Sequence, residues 1–467
     1  MDYSNISDAL AHDFTEKLFP AKYQLLPNLD DVYELRLAHY ESQILSDKAL
    51  LRNGAYFARV GNTFTRHFLM CTGESLKLPE HSSSRLKSFF EKNLFRTGYA
   101  THGLFPYRGK FHPQMIKGLI NIMGLRPGDT LLDPMMGSGT ALVEASLMGI
   151  KSIGIDASPF CRFMTQTKID TLTMSLNRAK KALSNYKEVF EYFRRKPPNP
   201  AIKSKVTSKM VSPDMMSIME PAAEYALKQD RNGLTKKQRE TSDTYNFLLL
   251  AFLDSVGYSE RSQRKTPLEQ FKAVLERYLF VAEKIQNVLK GFEQDIAPAK
   301  ALEGDARYLP LENAALDGII FSPPYSFAID YLKNDEFHLN FFGVETERLR
   351  ESMIGLRGRK MSDKFQIYNF CGSFNYCHLS HYPIDIVIFS SFFVYKIHNT
   401  IIKIDQTLVN MDKNLYVMAS VLQKQNKVND SKTIKAEDQL TYKICKNCGG
   451  KNRKEDVTCT HCSKLLA

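Results

Sequence analysis

The sequence predicts a doubly wound α/β fold, interrupted by a long helical insertion and followed by a small cysteine-rich module. Three observations carry this expectation. Residues 130–148 run as an apolar strand, a glycine-rich turn and a helix-forming stretch. A second apolar strand ends in a carboxylate at Asp156, and a third apolar run, 316–321, leads into Ser322-Pro323-Pro324-Tyr325. Strands separated by helical segments are the pattern of a parallel sheet covered by helices.

Taken in chain order, residues 1–98 form a separate-looking segment of unreadable role. Val32, Leu35, Leu37 and Ile44 mark a helical pattern, and 55–60 resembles a strand before Gly61-Asn62. The core begins in 99–165. Pro113 opens a helix through Met115, Ile116, Leu119 and Ile120, Gly124 ends it, and Pro127-Gly128-Asp129 turns the chain into the strand at 130. Asp133-Pro134-Met135-Met136-Gly137-Ser138-Gly139-Thr140 follows, and then a helix over 141–148 that Gly149 stops.

Strand, glycine turn and helix together make a nucleotide-binding geometry. Glycines without a Cβ let the backbone turn tightly and approach a ligand, while a helix start presents amides with no intrahelical partner. A GxG alone is equally an ordinary strand-to-helix turn. Asp156 adds weight, because it ends the next strand near the ~20-residue separation at which an acidic side chain receives ribose hydroxyls in such sheets.

Residues 166–296 exceed what a compact fold needs between these elements. Leu268, Phe271, Val274, Leu275, Tyr278 and Leu279, continued by Ala282, Ile285, Val288, Leu289 and Phe292, have the spacing of a long amphipathic helix. Upstream lie Arg194-Arg195-Lys196, Lys203, Lys205, Lys209, Lys236-Lys237 and Arg239, which suit either target recognition or a solvated face.

The other half of the core, 297–422, begins with Gly304-Asp305-Ala306-Arg307 and Leu309-Pro310-Leu311 before the strand at 316–321. Consecutive prolines fix φ and remove amide donors, so carbonyls at that strand end lack ladder partners and can face a pocket. Arg357, Arg359 and Lys360 are a second candidate for backbone contacts. Beyond 361 the pattern diverges, with candidate strands at 384–397 and 415–422, a polar linker at 423–440 and a terminal module at 441–467.

That module holds four of the eight cysteines, as Cys445-Lys446-Asn447-Cys448 and Cys459-Thr460-His461-Cys462. Two CxxC knuckles separated by a short loop can place four thiolates in a tetrahedron, so structural zinc in a ribbon is expected in preference to redox-active thiols. His461 reads as a surface residue. The 467 residues carry a net charge of +12 and a sequence pI of about 9.1, which suits a polyanionic partner. No targeting segment or membrane-length apolar run is visible, and a cytoplasmic location without membrane association is expected.

The strings FHPQM, DPMMGSGT, GIDAS, GDARYLPL and FSPPY, within roughly 99–165 and 297–360, resemble the S-adenosylmethionine-dependent DNA amino-methyltransferases, particularly those with an SPPY loop that methylate cytosine N4. The resemblance implies a Rossmann-like methyltransferase sheet. It implies that Asp133, Pro134, Gly137, Gly139 and Thr140 hold the methionine part of the donor, that Asp156 binds its ribose and that Asp305 binds its adenine amino group. Phe111, His112 and Pro113 match the segment that closes the donor pocket, and Ser322, Pro323, Pro324 and Tyr325 match the catalytic loop.

The chemistry of these types agrees. A serine hydroxyl oxygen and a proline carbonyl can accept hydrogens from an exocyclic amine and localise its lone pair, and Tyr325 offers an aromatic face to an extruded base. Methylation at cytosine C5 needs a thiolate, typically in a Pro-Cys dipeptide, and none occurs. In-line transfer to nitrogen is therefore expected. Cytosine N4 in DNA comes first, with adenine N6 in DNA, guanine N2 in RNA, and an inactive DNA-binding relative as alternatives. A restriction or defence partner is compatible with this reading.

Overall fold

The computed structural model describes residues 18–26, 29, 32–72, 95–107, 109–195, 211–223, 233–261, 266–292, 296–311, 316–322, 330–353, 384–389, 392–397, 442–444 and 451–453. They fall in two units, Met1–Leu422 and Gln423–Ala467.

The first unit opens with β1 (Tyr23–Leu25), α1 (Val32–Ile44), α2 (Asp47–Asn53), β2 (Phe57–Val60), β3 (Thr63–Phe64), α3 (Arg66–Thr72) and α4 (Phe95–Gly98). After a 3-10 turn at Ala100–Gly103 come α5 (Pro113–Ile122), β4 (Thr130–Asp133), α6 (Thr140–Leu147), β5 (Lys151–Asp156) and α7 (Pro159–Thr171). Five helices fill the interval before the next strand: α8 (Asn177–Ser184), α9 (Tyr186–Arg195), α10 (Pro213–Ala223), α11 (Lys236–Arg261) and α12 (Pro267–Lys290). The unit continues through β6 (Ala299–Glu303), β7 (Gly318–Phe321), α13 (Tyr331–Phe341), α14 (Thr346–Ser352), β8 (Ile384–Phe389) and β9 (Phe392–Ile397). In the second unit, β10 (Tyr442–Ile444) pairs antiparallel with β11 (Lys451–Arg453).

The central sheet has the order β6-β5-β4-β7-β9-β8. Its first four strands are parallel neighbours, and the β8–β9 hairpin extends it antiparallel beside β7, with Ile319 opposite Tyr395. The candidate strand at 384–397 is thus two strands, and 415–422 lies outside the described residues.

Alternation along the strands sends side chains to both faces. Leu132, Ile155, Ile319 and Phe321 share one cluster, while Leu131 and Ile320 pack with Ile116, Leu119 and Ile120 of α5 and Ala141 and Ala145 of α6. Burial on both faces explains why these strands read as nearly continuous apolar runs.

The N-terminal residues, separate-looking in sequence, belong to that second cluster. Leu37, Leu50, Tyr56 and Phe57 pack directly with α5 and α6. Polar ties reinforce the contact: the buried Arg66 Nη2 donates to Leu147 O (2.6 Å) at the end of α6, where orphan carbonyls need donors, and Asn121 Nδ2 donates to Glu41 Oε1 (2.6 Å). Within the buried interior, Glu144 of α6 accepts from Tyr99 Oη (2.6 Å) and pairs with His102 Nε2 (2.7 Å) and Lys117 Nζ (3.6 Å).

The long helix expected from apolar spacing is α12. Thr266 caps it in a capping box with Glu269, and Phe271, Val274, Leu275, Tyr278 and Ile285 are buried. Of the basic clusters, Arg194 and Arg195 both pair with Glu191, whereas Lys236, Lys237 and Arg239 are exposed at the start of α11. Lys196, Lys203, Lys205, Lys209, Arg357, Arg359 and Lys360 lie outside the described residues. No described helix is long and apolar enough to cross a membrane.

Candidate functional site

Because β6, β5, β4 and β7 are parallel neighbours, their carboxyl ends stand side by side in that order. Asp305 follows β6, Asp156 ends β5, the glycine turn follows β4 and Ser322 follows β7. With strands ~4.8 Å apart, four segments distant in sequence form one short row at the sheet edge where ligands bind in open α/β folds.

The turn has a left-handed backbone at two positions, Gly137 (φ +49°) and Gly139 (φ +73°). At Gly139 the requirement is doubled, since a Cβ there would lie 2.3 Å from Thr165 Cγ2 and 2.6 Å from Thr165 Oγ1. Helix α7 holds the turn from behind: Thr165 Oγ1 donates to Gly137 O (3.0 Å), and the buried Lys168 Nζ donates to Ser138 O (3.3 Å). Gly139 then caps α6 without a side-chain hydrogen bond, leaving the first amides of that helix available to a ligand.

Asp156 ties β5 to this turn. Its Oδ2 accepts from Gly137 N (2.9 Å) and its Oδ1 from Ser158 N (2.8 Å). Burial raises its pKa to about 6, against the opposing effect of the two amides. A carboxylate has about four lone-pair sites, so further donors can still be received. Asp133 is wholly buried at the end of β4, and burial, with Asp156 nearby, pushes its carboxyl up to about 8. Its Oδ1 accepts from Met135 N (3.1 Å), while Oδ2 has no hydrogen-bond partner among the described residues. A buried carboxyl oxygen so placed under a glycine turn is suited to a hydrogen bond with a ligand.

A cleft with about 930 Å³ of empty space, open to solvent, runs along this row. Pro134, Gly137, Thr140, Asp156, Phe111 and Ser322 all line it. Asp133, Gly139, His112, Pro113 and Asp305 do not, and each has a definite place nearby. Asp133 and Gly139 shape the turn from within, His112 and Pro113 start α5, and the Asp305 carboxylate accepts from Arg307 Nε (2.9 Å to each oxygen) while Ala306 reaches the cleft. Pro323, Pro324 and Tyr325 lie outside the described residues, as do Cys445, Cys448, Cys459 and Cys462.

The structure adds lining residues that the motifs did not reveal: Tyr107, Lys110, Cys161, Tyr331 and Asp335. Tyr107, Tyr331 and Asp335 also line a narrower adjoining recess. Tyr107 and Lys110 stand just before the FHP string and could have been suspected from that proximity. Cys161, Tyr331 and Asp335 sit on α7 and α13 with no motif of their own.

Residues 104–192 match a family model described as UPF0020: RMKL-like, methyltransferase domain. The matched stretch contains the glycine turn, β5 and the Lys110 segment. Among curated proteins, the chain is similar to the type II methyltransferase M.BsoBI of Geobacillus stearothermophilus, with 27% identity over 290 residues, 54% of either chain. It is also similar to the type II methyltransferase M.MjaII of Methanocaldococcus jannaschii, with 47% identity over 68 residues, 15% of this chain and 13% of that one. A tRNA (guanine(10)-N2)-dimethyltransferase of Methanothermobacter thermautotrophicus is 40% identical over 52 residues, 11% of this chain and 16% of that one. The chain spans about half the length of the first of these relatives and less of the others. It is thus similar to type II methyltransferases, and the stretch that matches the methyltransferase-domain model lies on a largely parallel α/β sheet.

Proposed function

We propose that this chain transfers a methyl group from S-adenosylmethionine to the exocyclic amine of a DNA base, cytosine N4 before adenine N6, as the modifying enzyme of a restriction-modification system. One observation carries the proposal: Ser322 at the end of β7 lines the same cleft as the glycine turn at the end of β4. The type II methyltransferase relatives and the net charge of +12 support a DNA substrate.

When bound, S-adenosylmethionine supplies a methyl group on a sulfonium. In this reading the rest is done by this chain's own residues, and the order of the strands supports the division of roles. Asp305, beyond β6, faces the adenine, Asp156 receives ribose hydroxyls, and the Asp133–Thr140 segment receives the methionine part. Phe111 forms the opposite wall, with His112 and Pro113 behind it at the start of α5. Ser322 Oγ and the carbonyls of Pro323 and Pro324 accept the hydrogens of the target amine and hold its lone pair toward the methyl, and Tyr325 stacks on the base. The nitrogen so held would take the methyl as its bond to sulfur breaks, with the thioether as leaving group, and would then give its proton to solvent water. Alignment and polarisation provide the rate.

The proposal is tested by incubating the protein with labelled donor and either DNA or total RNA, followed by nucleoside mass spectrometry. N4-methylcytosine in DNA supports it. A second reading, guanine N2 of RNA, is favoured by the stretch shared with tRNA (guanine(10)-N2)-dimethyltransferases, and label in N2-methylguanosine would establish it instead. Donor binding with no product in either polymer would identify an inactive relative.

The Asp156 role predicts a pH dependence. The ionised carboxylate is the acceptor for ribose hydroxyls, and burial raises its pKa to about 6. Donor affinity measured by calorimetry is therefore expected to weaken as pH falls through about 6, and Asp156→Asn should bind weakly at every pH with a flat profile across that range. A wild-type affinity unchanged between neutral pH and pH 5 would contradict the role.

A terminal zinc ribbon forms the last part of the reading. Cys445 and Cys448 stand in sequence between the paired strands β10 and β11, and Cys459 and Cys462 follow them. Elemental analysis of purified protein is expected to give stoichiometric zinc, and Cys445→Ser should lose most of it. Metal-free protein with an intact second unit would rule the ribbon out.

A further inference from the structure

Resting on the reading that the cleft binds S-adenosylmethionine, we propose that Lys110 recognises the donor's carboxylate. The residue lines the cleft on the segment that crosses over that turn: a Cβ on Gly137 would sit 3.6 Å from Tyr107 Cε1, three residues away from Lys110 in the chain. Two backbone carbonyls fix the ammonium, since Lys110 Nζ donates to Thr97 O (2.6 Å) and to His102 O (3.3 Å). An ammonium has three hydrogens, so one remains for a ligand.

The second lysine comes from the opposite side. Lys168 Nζ donates to Ser138 O (3.3 Å) from α7, is buried, and is made less basic first by burial and then by the charge of Lys110. Burial lowers Lys110 itself to about 8. The amides starting α6 add a partial positive charge at the same turn. An anion in the cleft beside Lys110 meets both. Among the carboxylates that line the cleft, Asp156 accepts from the amides of Gly137 and Ser158, and Asp335 lies on α13.

The donor carries one anionic group, at its methionine end, and the sheet order places that end at β4. A DNA phosphate beside the extruded base is the other source of an anion there. Both share the same chemistry of oxygen acceptors for an ammonium, and the source is separable by experiment.

The full-length protein is titrated calorimetrically with S-adenosylmethionine and with decarboxylated S-adenosylmethionine, which differs only in lacking that group. The wild type is expected to prefer the carboxylated donor by about 10- to 100-fold, the range of one charge-assisted hydrogen bond. Lys110→Gln should abolish most of the preference while binding the decarboxylated compound as the wild type does, and Lys110→Arg should restore part of it. Thermal unfolding of each variant checks its integrity, Lys110→Arg keeps the test open where Lys110→Gln does not fold, and equal wild-type affinities overturn the proposal without any variant.

Equal wild-type affinity for the two compounds would overturn the proposal. So would a Lys110→Gln variant that keeps the preference and loses only DNA affinity, which would assign the lysine to a phosphate. Failure of the wild type to bind either compound would bring down the donor-site reading together with the proposal, and that outcome is distinct from a loss of selectivity alone.

Discussion

Ser322→Ala is expected to lower methyl transfer about 100- to 1,000-fold while leaving donor affinity within about twofold. Ser322 is the described member of the proposed acceptor loop, and it reaches the cleft from the end of β7, on the opposite side of the glycine turn from Asp156 and Asp305. Its hydroxyl would therefore meet the target amine and not the donor. Polarising a weakly nucleophilic amine matters only as the N–C bond forms, so the loss should fall on turnover. Single-turnover rates with saturating donor and DNA, set beside calorimetric donor affinity, separate the two effects. A variant that loses donor binding as severely as turnover would place Ser322 in the donor site and overturn the assignment.

The second large effect is structural. Gly139→Ala is expected to destabilise the first unit by about 2–4 kcal/mol, combining left-handed strain with steric overlap. The two causes are separable because they reside in different residues. The overlap is with the Thr165 side chain, whose Cγ2 and Oγ1 would lie 2.3 Å and 2.6 Å from the new Cβ, whereas the strain belongs to the backbone at φ +73°. Thr165→Ala in the Gly139→Ala background should recover the overlap in part and leave the strain, at the further loss of the bond from Thr165 Oγ1 to Gly137 O. Donor affinity should fall at least about tenfold in Gly139→Ala, since a displaced turn moves the amides that face the cleft. Wild-type stability in chemical denaturation would contradict the tight approach of α7 to the turn.

Much of the donor side was legible in the residues alone. The strands at Thr130–Asp133 and Lys151–Asp156 follow from apolar runs bounded by Pro127-Gly128-Asp129 and by Gly149, and the helix between them from the positive-φ glycines at either end. The third strand begins later than its apolar pattern suggested, at Gly318, because Asp317 is used for anchoring: its Oδ2 accepts from Thr130 N (2.8 Å) and its own amide donates to Thr130 O (2.9 Å). Strand β6, Ala-Lys-Ala-Leu-Glu, was hidden. Its alternating polar residues carry little apolar signal, and its place at the sheet edge comes from pairing with β5, Ser152 opposite Ala299. The attachment of the N-terminal residues was hidden for a similar reason, since apolar residues on α1, α2 and β2 reveal that they need a partner without revealing which one.

The glycine turn and its flanking carboxylates were readable from residue types because their properties are local: φ preference and a strand's apolar period belong to a few neighbouring residues. Which of those pieces meet is a different matter. The order β6-β5-β4-β7 sets Asp305, Asp156, the turn and Ser322 in one row, and the crossing of the 107–111 segment brings Lys110 to a cleft whose other walls lie up to two hundred residues and more away in the chain. Such neighbours arise from burying both faces of one sheet, a requirement satisfied by the whole unit at once and encoded in no single stretch of it.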